Sequence, residues 1–232
     1  MKELRVRAVL VGKVAPLGQR GVPSGIAKRP QDGTVWLSRN GLEGDEQADR
    51  KHHGGAEKAI HHYPFDHYAR WREELSGVSI PAFGAFGENI STLGMTETEV
   101  CIGDVFRIGP ALVQVSQGRQ PCWKLNERSG LPDMARRVQE TGKTGWYYRV
   151  LEEGEVGAGD PIRLVDRRAP EWTLAQIADV LYRDVLNLDR LSELARLPEL
   201  SSSWRMLALR RIERCSVEDW SRRLATPQEA TQ

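Results

Sequence analysis

The chain has 232 residues, 40% of them hydrophobic, and 33 basic against 32 acidic side chains for a formal net charge of +1. That apolar content is enough for a core and excludes a disordered tail, while the balanced charge lacks the positive excess of a general nucleic-acid binder. No apolar run is long enough to span a bilayer, Met1-Lys2-Glu3-Leu4-Arg5 lacks a signal peptide's apolar stretch, and three cysteines make no secreted disulfide framework, so a cytoplasmic protein with no membrane contact is expected.

Residues 1–166 read as one unit of short β-type runs punctuated by Gly and Pro. The clearest are Leu4 to Val14, Thr34 to Leu37, Val100 to Ile108, Ala111 to Ser116, Trp146 to Leu151 and Pro161 to Val165. Gly109-Pro110 predicts a hairpin connection and Gly103-Asp104 a kink or bulge. Many short strands separated by turns predict a mainly β fold of the barrel or sandwich type. Two amphipathic helices interrupt the pattern. Pro64 to Leu75 carries Tyr68, Trp71 and Leu75 on one stripe, and Pro132 to Glu140 carries Leu131, Met134, Ala135 and Val138. Both are expected to pack one face on the barrel.

Residues 167–172, Arg167 to Trp172, read as a linker. Residues 173–225 then change character to a small C-terminal helical domain, with 226–232 as a tail. Leu174, Ile177, Ala178 and Leu181 recur at helical spacing behind a Thr173 cap. Leu188, Leu191 and Leu194 mark a second helix stopped near Pro198, and a third starts near Ser202 with Trp204, Leu207 and Ile212. Ser216 with Asp219 three residues on resembles a capping box for a last turn through Leu224. Arg205, Arg210, Arg211, Arg214, Arg222 and Arg223 form a local basic cluster, yet from Arg167 onward 11 basic residues face 10 acidic ones. That is a solvated helical surface and not a DNA-binding stripe.

All five histidines, His52, His53, His61, His62 and His67, fall within one short stretch. Their spacing does not reproduce the i, i+4 pair of a zinc helix, and no cysteine lies nearby. His62 and Tyr63 precede a helix start and are expected to pack beneath it. His53 differs, because Gly54 and Gly55 follow it and let backbone amides approach a ligand. Cys122 lies in Ser116-Gln117-Gly118-Arg119-Gln120-Pro121-Cys122-Trp123-Lys124-Leu125-Asn126, expected to be a loop at a strand's end. Arg119 and Lys124 favour a thiolate there, which is a nucleophile or a soft metal ligand. From these residues alone the alternative, a small buried hydrophobe, stands equally open. That alternative describes Cys101, between Val100 and Ile102, and Cys215 better.

An ordered set of motifs over residues 20 to 150 carries a resemblance. It comprises Pro23-Ser24-Gly25-Ile26-Ala27-Lys28, Gly41-Leu42-Glu43-Gly44-Asp45-Glu46-Gln47-Ala48-Asp49, His53-Gly54-Gly55-Ala56-Glu57-Lys58-Ala59 and His62-Tyr63-Pro64. Phe86-Gly87-Glu88-Asn89-Ile90-Ser91, Ile102-Gly103-Asp104, the Cys122 segment and Thr141-Gly142-Lys143-Thr144-Gly145-Trp146 follow. The chain resembles MOSC-domain proteins of the YiiM-like group, whose appended three-helix domain the C-terminus also resembles.

The resemblance implies a β-barrel-like fold that binds the molybdenum cofactor, with Cys122 matching the thiolate that ligates molybdenum. Lys28 and Arg119, then Lys124, Asn89 and Asn126, are the candidates for holding the pterin and its phosphate. It also implies a reductase of N-hydroxylated compounds such as hydroxylaminopurine-type bases. His53 is then the proton donor, oriented or charge-stabilised by Glu57. Two other classes stay open: a sulfur carrier through a Cys122 persulfide, and a non-catalytic module that binds a pterin or nucleotide. No G-x-G-x-x-G fingerprint follows a strand, and three scattered cysteines cannot hold a four-cysteine cluster. Electrons are therefore expected from a separate reductase, a flavoprotein; a homodimer is left open.

Overall fold

A computed structural model describes residues 4–49 and 54–227. In chain order the strands are β1 (Leu4–Val11), β2 (Ala15–Leu17), β3 (Val22–Ser24), β4 (Arg29–Pro30), β5 (Thr34–Ser38), β6 (Gly41–Leu42) and β7 (Ile60–Pro64). They continue as β8 (Ile90–Thr92), β9 (Val105–Ile108), β10 (Ala111–Gly118), β11 (Trp146–Glu152), β12 (Gly154–Gly157) and β13 (Pro161–Asp166). Seven of them pair in the order β13-β9-β10-β11-β7-β8-β1, and β13 pairs β1 again through Leu4↔Ile162, which closes the ring. The mainly β, barrel-like expectation holds. Closure leaves the barrel no open sheet edge to satisfy. β7 and β8 run parallel at His62↔Ile90, and the other ladder pairs are antiparallel.

The Gly109-Pro110 hairpin forms between β9 and β10, and Gly103 takes a left-handed φ of 77° at a turn. That turn makes the expected strand start late, at Val105: Val100 to Asp104 forms no strand, and Cys101 makes a single bridge to Thr173. β1 likewise stops at Val11 and not at Val14.

The helices are α1 (Asp66–Glu74), α2 (Lys124–Ser129), α3 (Met134–Thr141), α4 (Leu174–Tyr182), α5 (Leu188–Arg196), α6 (Ser202–Arg214) and α7 (Ser221–Leu224). Thr173 caps α4 in a full capping box with Gln176. The Ser216 cap does not form. The last turn starts five residues later, where Asp219 accepts from the Ser221 amide at 2.8 Å. Tyr68 and Trp71 of α1 and Met134, Ala135 and Val138 of α3 pack with Tyr63, Phe86, Leu125 and Leu224 into a second, smaller apolar cluster beside the barrel core.

The 167–172 segment is anchored on the barrel. Arg167 forks onto the fully buried Asp104 at 2.9 and 2.7 Å, and Ala169 and Trp172 are buried. Ile177, Leu181, Leu191, Leu194 and Trp204 belong to the same cluster as Val9, Ile60, Val113 and Trp146. The helices therefore cover the barrel and share its core. Among the described residues no helix is long and apolar enough to cross a membrane.

Candidate functional site

A pocket opens where the β1–β4 arm, the 44–49 turn, β7 and the loop after β10 converge. Its walls include Lys28, Lys58, Arg119, Cys122, Lys124 and Tyr147, with Glu46 and Asp49 as acidic members. Two close approaches shape it. A Cβ on Gly25 would lie 2.0 Å from the Glu46 carbonyl oxygen, so the 44–49 turn packs on bare backbone. Gly145 has a φ of +67°, and a Cβ there would lie 2.2 Å from the His62 carbonyl oxygen.

Asp45 organises the basic wall from below. One carboxylate oxygen accepts from the Gly12 amide at 2.8 Å and from Lys28 Nζ, and the other accepts from Asn89 Nδ2 at 3.0 Å. Burial pushes the Lys28 amine below its usual range, against the pull of the Asp45 carboxylate. Asn89 lines the pocket, but its side chain is committed to Asp45, to the Leu10 carbonyl at 3.1 Å and to the His61 amide at 3.0 Å. Asn89 thus holds the wall together.

Arg119 follows β10, where its amide still donates to the Gly145 carbonyl at 3.0 Å. It is 5% exposed, and its Nη1 is buried with no hydrogen-bond partner among the described residues. Its guanidinium lies against the Tyr147 hydroxyl, whose pKa burial raises above the usual phenol value while Arg119 opposes the rise. It also adds to the burial that holds His61 well below the ordinary imidazole range. A buried guanidinium with an unused donor is costly unless an anion completes it. Cys122 comes three residues later in the expected loop. It is 7% exposed, and its carbonyl accepts from the Leu125 amide at 2.9 Å as α2 begins. Lys124 donates to the Pro23 carbonyl at 3.2 Å, tying the Cys122 loop to the opposite wall.

Two expected site residues do other work. Glu57 is not in the pocket wall. Its carboxylate accepts from the Ser202 amide at 3.1 Å, from the Ser202 hydroxyl and from Arg149 at 3.2 Å, so it fastens the start of α6 to the barrel. Asn126 is 3% exposed and points away from the pocket, donating to the Leu224 carbonyl at 2.9 Å and accepting from the Ala135 amide at 2.8 Å. His53 lies outside the described residues. His62 faces the barrel interior on β7, not the underside of α1. It contacts Trp146 at 4.3 Å between ring centroids and bonds to Thr92 Oγ1 at 2.7 Å and the Tyr148 hydroxyl at 3.0 Å. Burial lowers its pKa to about 3, so it is neutral.

The sequence reasoning missed Asp45, Lys58, His61 and Tyr147 as site residues. Asp45 and Lys58 stand inside motifs already singled out, and Tyr147 directly follows Trp146. Among the described residues no group of three or more His, Cys, Asp or Glu is arranged to hold a bare metal ion.

The closed seven-stranded barrel and the helical region that covers it each match a known family. Residues 49–163 match the MOSC domain model, and residues 172–214 match the model described as YiiM-like, 3-alpha helix domain. The chain is 42% identical over 217 residues to protein YiiM of Escherichia coli, covering 93% of this chain and 96% of that one. It belongs to the YiiM family. The crystal structure of YiiM from Geobacillus stearothermophilus superposes with a TM-score of 0.77 at 38% identity, over 90% of this chain and 99% of that one. A Gibberella moniliformis protein named Reductase is 40% identical over 197 residues, 84% of this chain but 35% of that longer protein.

Proposed function

We propose that the protein is a molybdenum-cofactor-dependent reductase of N-hydroxylated compounds, with hydroxylaminopurine-type bases as the substrate class. The observation that carries this reading is the pairing, in one pocket, of Cys122 with a buried Arg119 guanidinium whose Nη1 has no partner among the described residues. The donor set fits the group. A single thiol suits a soft metal that brings its remaining sulfur ligands with it, and a cation-rich wall suits a pterin phosphate. Cys122 would be the protein's metal ligand; Arg119, Lys28 and Lys124 would hold the anionic end, with Lys58 beside them. When bound, the cofactor supplies the two-electron reduction that cleaves an N–O bond, consuming two protons and releasing an amine and water.

The chain's own residues bind and orient. The neutral His61 and the Tyr147 ring, 5.2 Å apart between centroids, form a semi-polar floor for a flat heterocycle. His53 is assigned the proton for the leaving oxygen, as the resemblance implies. The recession of Cys122 favours a ligand held in place over a sulfur carrier, whose persulfide must reach another protein's acceptor. The electrons are assigned to a separate flavoprotein reductase.

The test is turnover of N-hydroxylated bases by cofactor-loaded protein with an artificial reductant. Stoichiometric amine formation that is lost in Cys122→Ser supports the reading, and loaded protein that leaves the bases untouched ends it.

A further inference from the structure

The residues around Cys122 are held by a segment one hundred positions away. Arg223 Nη1 donates to the carbonyl of Pro121 at 2.6 Å, and the Trp123 amide donates to the carbonyl of Arg223 at 2.7 Å. The residue before Cys122 and the residue after it are thus both bonded to the same strap residue. The other arm of the guanidinium reaches Gln139 Oε1 on α3 at 2.5 Å, and Asn126 Nδ2 reaches the Leu224 carbonyl at 2.9 Å. Leu224 is 3% exposed and packs in the apolar cluster that includes Leu125. Arg20, on the turn between β2 and β3, donates to the Pro227 carbonyl.

The helical region aims this strap. Arg211 on α6 is 1% exposed and forks onto Glu218 at 2.9 and 2.6 Å, while its third nitrogen donates to the Leu181 carbonyl at 2.8 Å. Glu218 in turn accepts from Trp220 Nε1 at 2.8 Å, and the Trp220 ring meets Tyr182 edge-on at 6.0 Å. The chain leaves α6 through a left-handed Cys215, φ 46°, is caught by this pair, in which Arg211 is buried and Glu218 exposed, and is turned back toward the barrel. The matched three-helix region ends at residue 214, before the strap begins.

We propose that residues 220–226 form a strap in which Arg223 is the positioning residue for the Cys122 loop. The C-terminal helical region then serves the pocket by fixing the thiol from behind and lines none of it. A single fork bonded to both Pro121 and Gln139 locks the loop against α3, and a short loop held at both flanks of one residue cannot swing that residue into solvent. The importance of the strap rests on Cys122 being the working thiol, but the geometry is testable without the cofactor.

The test is native-state alkylation of the purified protein with iodoacetamide, with each cysteine's rate read from its own peptide by mass spectrometry. Arg223→Ala is expected to speed alkylation of Cys122 roughly tenfold, the change that follows loss of one charge-assisted hydrogen bond from a closed loop. Cys101, buried against the barrel, serves as the internal control and keeps its rate. Arg223→Lys, which retains one donor but not the fork, gives an intermediate rate, and Arg222→Ala on the exposed side of the strap matches the wild type. If Arg223→Ala does not fold, the ordering of wild type, Arg222→Ala and Arg223→Lys carries the result. An unchanged Cys122 rate overturns the proposal, and so does a parallel rise at Cys101, which would mark general loosening. Loss of the proposed reductase function would leave these rates where they are.

Discussion

Two arginines are buried in this protein almost equally, and they are treated in opposite ways. Arg211 in the helical region spends all three guanidinium nitrogens, two on Glu218 and one on the Leu181 carbonyl. Arg119 in the pocket keeps Nη1 without a partner among the described residues. Burying a cation is costly in either place, and among the described residues only the first has every guanidinium nitrogen partnered. The helical region is built for stability. The pocket is built with a deficit that an anion would fill, which is how a preorganised binding site differs from a core.

Removing the partner of the compensated arginine should have the largest effect. Glu218→Ala leaves the buried Arg211 with carbonyl partners only and should cost about 2–3 kcal/mol in urea unfolding. Arg119→Met should change stability by less than about 1 kcal/mol in either direction, because it removes a buried charge that has an unpartnered nitrogen among the described residues, and should abolish retention of an anionic ligand. If Arg119→Met destabilises as much as Glu218→Ala, Arg119 is structural and the contrast between the two regions fails.

Glu57 sharpens the comparison from the other side. Chain proximity to His53 suggests a catalytic partner, but its carboxylate serves Ser202 and Arg149. Glu57→Ala should therefore cost about 2 kcal/mol through the α6 start while sparing turnover per folded molecule. A turnover loss with an unchanged melting temperature would restore the catalytic role.

The buried histidines predict acid lability. His61 and His62 have folded-state pKa values below the unfolded value, so the unfolded chain binds more protons as the pH falls. Stability is then complete above about pH 6.5, the unfolded histidine value, and declines below it by up to about 1.4 kcal/mol per pH unit for each histidine. For His62 the decline continues to about pH 3. Urea titrations at pH 7 and pH 5 measure the slope, which should fall in His62→Gln. A flat profile would mean that both rings are charged or exposed.

The smallest effects separate the cysteines. Cys101→Ala empties a site that is 1% exposed and should cost on the order of 1 kcal/mol with chemistry intact. Cys122→Ala, on a pocket wall, should cost less and remove the proposed activity. Calorimetry and turnover on both variants give the two-by-two answer.

What could be read from the chain follows the range of the interactions. Thr173 and Gln176 are three residues apart, and their capping box was predictable because it is local. The hairpin at Gly109-Pro110 is local as well. Closure of the barrel depends on Leu4 meeting Ile162, and no pattern within either strand encodes that partner. β7 was missed for a related reason. Ile60–Pro64 is buried at every position, so the alternation that signals a strand is absent. Cys122, Arg119 and Lys28 could be singled out because each sits in an ordered motif. Lys58 and Tyr147 enter the pocket from two further elements. Asn126 and Glu57 lie outside the pocket wall, because nearness in sequence says nothing about the direction of a side chain.

Cys122 and Arg119 are proposed to hold a molybdenum cofactor together. The most direct test is the molybdenum content, per protein molecule, of freshly purified wild type, Cys122→Ser and Arg119→Met prepared from cells able to make the cofactor. Near-stoichiometric molybdenum in the wild type, with at least a tenfold drop in both variants while their melting temperatures hold, is the predicted result; tenfold corresponds to about 1.4 kcal/mol of binding. Wild type and variants that carry equal molybdenum, or a wild type that carries none, would contradict the account.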